Sequence, residues 1–188
     1  QNLHAHEAVD LTIIIPTSQH LRDQAERLKQ HHEQHDGMSV RIVPADEIYN
    51  EFSSGTPDVS AYRRYMKMMY DRNEYLLQGK MHLLLLGDCV WDNRLLTSDC
   101  RALNADNLLL CYESENSYNE IDCHVSDDFI GMLDDDEQII SGALSLAIPD
   151  IAIGRIPVLS ADEARKVIDK TIAYAENRNA GQWQNTIM

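Results

Sequence analysis

Positive charge is scarce in this sequence: 16 Lys and Arg stand against 31 Asp and Glu, a net charge of −15 over 188 residues. A protein that grips a nucleic-acid backbone needs a basic patch, so no nucleic-acid partner is expected. Long apolar runs are missing too. No stretch reaches the ~20 apolar residues of a membrane helix, and no basic start followed by an apolar core marks a signal peptide. Direct membrane insertion is therefore not expected. The four cysteines, Cys89, Cys100, Cys111 and Cys123, are evenly spread and never form Cys-x-x-Cys, which argues against a zinc site. Two disulfides would permit three connectivities, and spacing does not choose among them. Free buried thiols are the simpler reading, and the compartment stays open.

Two glycine motifs are also absent. The first strand runs into Pro16-Thr17-Ser18-Gln19 where a dinucleotide fold would place Gly-x-Gly-x-x-Gly, and no Gly-Lys-Ser/Thr loop is available for a nucleotide phosphate. Asp88 could be imagined as the phospho-acceptor of a receiver domain, but that scheme needs an acidic pair after the first strand. Cys123-His124 resembles a nucleophile beside a base, yet neighbours in an extended segment point to opposite faces. His20, His31, His32 and His35 fall on the polar part of the first helix and are expected to be solvated. No set of residues reads as catalytic.

The most informative stretch is His82-Leu83-Leu84-Leu85-Leu86-Gly87-Asp88, followed by a loop with a second acid, Asp92. A short, uniformly apolar run fits a central strand of a parallel sheet, buried on both faces. Open parallel sheets carry their chemistry at the carboxyl ends of such strands, where Asp88 falls. A strand at Leu11-Thr12-Ile13-Ile14-Ile15, a helix over 20–35 with Leu21, Ala25 and Leu28 on one face, and a strand over 39–44 make a βαβ unit. A short helical turn is expected over 45–52, a loop over 53–57, and a second helix faced by Tyr62, Tyr65, Met66, Met69 and Tyr70. Residues 148–157 read as another strand. Ser160-x-x-Glu163 caps a helix whose face is Ala164, Val167, Ile168, Thr171, Ile172 and Ala175. Between these regular parts lies an acidic, irregular excursion over 93–147, with a strand-like run at 107–112 and a hairpin expected within 121–133. Residues 1–188 thus read as one α/β domain, a three-layer sandwich around a mainly parallel, Rossmann-like sheet. The final apolar run Thr186-Ile187-Met188 looks like a strand cut short, as in one piece of a larger protein.

The acidic clusters suggest a hard cation. Calcium takes six to eight oxygens from carboxylates and carbonyls, and Asp88, Asp134, Asp136 and Asp150 could supply them. That convergence requires the Asp150 end of its strand to meet the Asp88 end of the other, by antiparallel pairing or a folded-back loop.

Several stretches in order, Tyr49-Asn50-Glu51-Phe52-Ser53-Ser54-Gly55-Thr56, Leu85-Leu86-Gly87-Asp88, Tyr112-Glu113-Ser114-Glu115-Asn116-Ser117, Ser126-Asp127-Asp128-Phe129-Ile130-Gly131 and Asp150-Ile151-Ala152-Ile153-Gly154-Arg155-Ile156-Pro157, resemble the gingipain-type cysteine peptidases. The first and third look most like the branch that acts as sortase of the type IX secretion system. The resemblance implies a caspase-like catalytic unit of two α/β subdomains, of which this chain is the first, with the catalytic His and Cys in the second. It implies a structural calcium on acids matching Asp88 and Asp150, the second subdomain as partner, peptide substrates and secretion-system components reached through the parent protein, and a place at the Gram-negative cell surface or in the periplasm. The competing expectation is a standalone α/β binding or regulatory domain without peptidase activity.

Overall fold

The computed structural model describes residues 2–72, 81–114, 124–135, 148–178 and 180–181. Its core is a four-stranded sheet of β1 (Leu11–Ile15), β2 (Val40–Pro44), β3 (His82–Leu86) and, after the short β4 (Tyr112–Glu113) and β5 (Val125–Ser126), β6 (Ala152–Ile156). The strand order is β2-β1-β3-β6, and every neighbouring pair is parallel. Parallel strands need crossovers, and the helices supply them on both faces, which is why β1 has no exposed residue at all.

Alternation along the strands divides the core in two. Ile14, Leu83 and Leu85 face a cluster built by α2 (Ala45–Phe52) and α3 (Val59–Arg72). Ile13, Ile15 and Leu86 face a second cluster built by α1 (Arg22–His31) and α4 (Ala161–Ala175). The expected stripe on α3 is present, with Tyr62, Tyr65, Met66 and Met69 each fully buried. Removing a side chain of this size from water stabilises the fold by about 1.5–3 kcal/mol before entropy is counted. The Ser160 capping box also forms: its hydroxyl accepts from the Glu163 N–H, and Glu163 accepts from the Ser160 N–H at 3.1 Å.

Three expectations need correction. The first helix does not run evenly to His35; α1 ends at His31 and continues as a π-helical turn, His32–Asp36, closed by Gly37 at φ +66°. His31 is not solvated. It continues the stripe of Leu21, Ala25 and Leu28 and is 6% exposed. The run at 107–112 is mostly not a strand: the Asn104 side chain accepts from the Asp106 N–H to start a 3₁₀ turn over Ala105–Asn107, and residues 108–111 are irregular. Only Tyr112–Glu113 pairs, antiparallel, with Val125–Ser126, and the latter half of the expected hairpin is a 3₁₀ turn over Asp128–Gly131. Residues 115–123 and 136–147, with Cys123 and Asp136, lie outside the described residues, as does the terminal run Thr186 to Met188.

Candidate functional site

From β1 the chain crosses to β2 on one side, and β3 then takes the other side, so a switch in direction falls between β1 and β3. Crevices open at such points beyond the carboxyl ends of the strands. Here a cleft of about 230 Å³ is lined by Thr17 after β1, Asp46 after β2, and Val90 and Asn93 after β3, with Tyr49 and Asp106 on its walls. The Oδ1 atom of Asp46 is buried without a hydrogen-bond partner. The strand-end reasoning applied to Asp88 applies equally to Pro44-Ala45-Asp46, and would have found this acid.

β3 enters this end through Gly87, whose φ of +155° is seldom adopted by residues with a Cβ. A Cβ there would also lie 3.0 Å from Pro16 and 3.1 Å from Leu109. The turn aims Asp88 back into its own backbone: its carboxylate accepts from the Cys89 N–H at 2.9 Å, and its carbonyl from the Leu109 N–H at 2.9 Å. Asp92 is likewise a turn acid, accepting from the Thr97 N–H at 2.7 Å, a bond that holds its carboxyl below the usual range.

Beside Asp88 sits a polar network centred on β6. Arg155 makes a two-pronged contact with Asp127, at 2.8 and 2.7 Å, and donates to the carbonyls of Gly87 and Leu110. A guanidinium with four acceptors on three segments ties β3, β6 and the excursion together at one end of the sheet. Next to it a hydrogen bond from the Cys111 thiol draws the Cys89 thiol down to about 7, against the opposing effect of burial and with help from Arg155. The same contact, with burial, pushes the Cys111 thiol up. Cys89, Cys100 and Cys111 are all free. Ser18 Oγ lies 2.5 Å from His20 Nδ1, and His20 Nε2 lies 3.0 Å from the Leu159 carbonyl. Donation from Nε2 to that carbonyl leaves Nδ1 to accept from the serine, so His20 is bonded at both nitrogens rather than simply solvated.

Of the acids expected to share one calcium, Asp88 and Asp150 stand at opposite ends of the sheet, and Asp136 lies outside the described residues. Parallel pairing is the reason: Asp88 follows the Leu86 end of β3, while Asp150 precedes Ala152, which is level with His82. The strand rise puts roughly 13 Å between the His82 and Leu86 ends alone, with both acids lying further out. Asp150 is spent on the excursion instead, accepting from the Leu133 N–H at 2.7 Å, and exposed Asp134 follows directly. Among the described residues, the one group with three metal-ligating atoms close together is His31, His35 and Glu176, far from these acids in sequence.

The whole length from residue 4 to 188 matches the model of peptidase family C25. The chain belongs to that family, the gingipain family. Among solved structures, it is similar to dimeric latent PorU from Porphyromonas gingivalis, at 36% identity and a TM-score of 0.85. That match covers 100% of this chain but 18% of the PorU chain. A search of curated proteins returned no match. For a C25 domain, then, the mainly parallel sheet with its two helical layers is the shared element. None of its described helices is long and apolar enough to cross a membrane.

Proposed function

We propose that this chain is the non-catalytic N-terminal subdomain of a gingipain-like cysteine peptidase, a type IX secretion sortase that cleaves the C-terminal signals of secreted proteins at the cell surface. The observation that carries the reading is the likeness to PorU along the entire chain, at an identity well beyond what fold alone requires. Two features of the site support it. The groups acting most strongly on Cys89 are Cys111, Arg155, Asp127 and Asp88, with no histidine among them to serve as its base. The outer side of β6 pairs with no strand among the described residues, and Ala152 and Gly154 on it are exposed. A strand of the catalytic subdomain would extend the sheet there, in the caspase-like manner, and shelter an edge otherwise open to unwanted pairing.

The test is expression of this chain alone and together with the residues that follow it in the parent protein. The chain alone should cleave no peptide and take up no thiol-directed peptidase inhibitor at an active site, whereas the longer form should do both. Peptidase activity from the chain alone would overturn the reading. Calcium enters only through the family resemblance, because Asp88 and Asp150 lie at opposite ends of the sheet. Equal melting midpoints in saturating calcium and in chelator would remove it.

A further inference from the structure

At the far end of the sheet from the cleft, α1 and α4 finish side by side, joined across their termini by histidine and glutamate. The π-helical turn after α1 is the local cause. An extra residue in the turn rotates the side chains beyond it, and such turns recur at functional sites. Here it brings the His35 ring to 4.7 Å from that of His31, tilted by 31°. From the end of α4, Glu176 places a carboxylate oxygen 3.7 Å from His35 Nε2. One ligand atom from each of His31, His35 and Glu176 lies within 4.8 Å of the others.

A second observation concerns His31 itself. It is 6% exposed, and its Nε2 is buried without a hydrogen-bond partner. Buried polar atoms are almost always satisfied, so a buried histidine that has an orphan nitrogen and stands beside two other ligating groups asks for an occupant. The surrounding groups are already committed. His32 Nδ1 is bonded to Asp36 at 2.6 Å, and Arg178 engages the other oxygen of Glu176, leaving Oε1 towards His35.

We infer that His31, His35 and Glu176 form a binding site for a divalent transition metal of the zinc type, clamping the end of α1 to the end of α4. Two imidazoles and a carboxylate suit zinc, and do not suit calcium, which takes oxygen alone. Three protein ligands leave a fourth position for water. Bonds of 2.0–2.1 Å require ligand atoms about 3.3 Å apart, so the three groups need to close a little. His35 is 53% exposed and free to make that movement. Arg178 would act from outside, orienting the carboxylate.

The purified protein, stripped with chelator, is titrated with zinc and separately with cobalt, whose visible absorption reports four-coordinate binding. One zinc per chain is expected, with a matching cobalt spectrum. His35→Gln, at an exposed position that leaves the core intact, and Glu176→Gln should each weaken zinc by at least the roughly 10–100-fold that loss of even a supporting group costs a metal site. A Cys89→Ser/Cys111→Ser double variant should bind as tightly as the parent. Absence of zinc binding at high micromolar metal would overturn the inference. So would unchanged affinity in His35→Gln, or loss of binding in the cysteine variant.

Discussion

The two faces of the sheet are covered to different depths. On the α2/α3 face, six large residues of α2 and α3 pack against the strands, and Ile130 and Leu133 from the excursion close the remaining gap. The rings of Tyr49 and Tyr62 stack at 5.5 Å with their hydroxyls hydrogen-bonded, and burial pushes the Tyr62 phenol up to about 12. On the α1/α4 face, α4 buries only Ala164 and Ile168 fully, while Val167 and Ile172 stay partly open. Its contact with α1 includes an ion pair in water, Arg27 to Asp169. Helix-forming pattern alone does not decide how well a helix is covered; position over the sheet does. α4 follows β6, the edge strand of the sheet among the described residues.

The contrast can be broken by substitution. Tyr62→Ala should cost the most, about 3–5 kcal/mol, since it opens a cavity on the closed face. Urea unfolding reads this, and a loss below about 1 kcal/mol would mean that the tyrosine stripe is not a packed core. Arg155→Ala comes next, at about 3 kcal/mol, because it strands the half-buried Asp127 and frees two carbonyls. An unchanged melting curve would show the network to be dispensable. On the open face, Ile168→Ala should cost roughly 2 kcal/mol, at the lower limit for such truncations, because its neighbours can collapse. A cost equal to that of Tyr62→Ala would erase the difference between the faces. Arg27→Ala should fall under about 1 kcal/mol, as for any exposed pair, and vanish in high salt.

The remaining effect on stability is a titration. The Cys89 thiol sits at about 7 in the fold, below its ordinary value of 9.0. A depressed acid favours the fold in its ionised form, so the stabilisation is complete above the unfolded value and is lost as pH falls through about 7. Iodoacetamide labelling of Cys89 should therefore reach half its maximal rate near pH 7. Cys111→Ala should move that midpoint upward, and a midpoint already near 9 in the parent would remove the pairing.

Much of the fold was legible because it rests on local signals. The Leu83 to Leu86 run, the Ser160 capping box and the tyrosine and methionine stripe each depend on residues within a few turns of one another. The site was legible only in pieces. Arg155, Asp127 and Cys111 come together through pairing across the sheet, which spacing along the chain does not encode. The separation of Asp88 from Asp150 was hidden for the same reason: strand direction decides whether the two share an end, and no residue near either reports it. His31 was misjudged because its polar side chain outweighed its position: it lies within α1 on the same face as Leu21, Ala25 and Leu28.

Strand order also implies a schedule. β1 and β2 pair across 29 residues, Leu11 with Val40, whereas β3 must hold its outer edge open until β6 arrives 70 positions later, His82 with Ala152. Contacts so distant along the chain close slowly. During synthesis the β2-β1-β3 portion is complete while β6 and α4 are still being made, and the last strand in among the described residues is the one that carries Arg155. Pulsed hydrogen exchange should find β1 protected before β6. The residue that locks three segments together is thus added after all three, when there is something to lock.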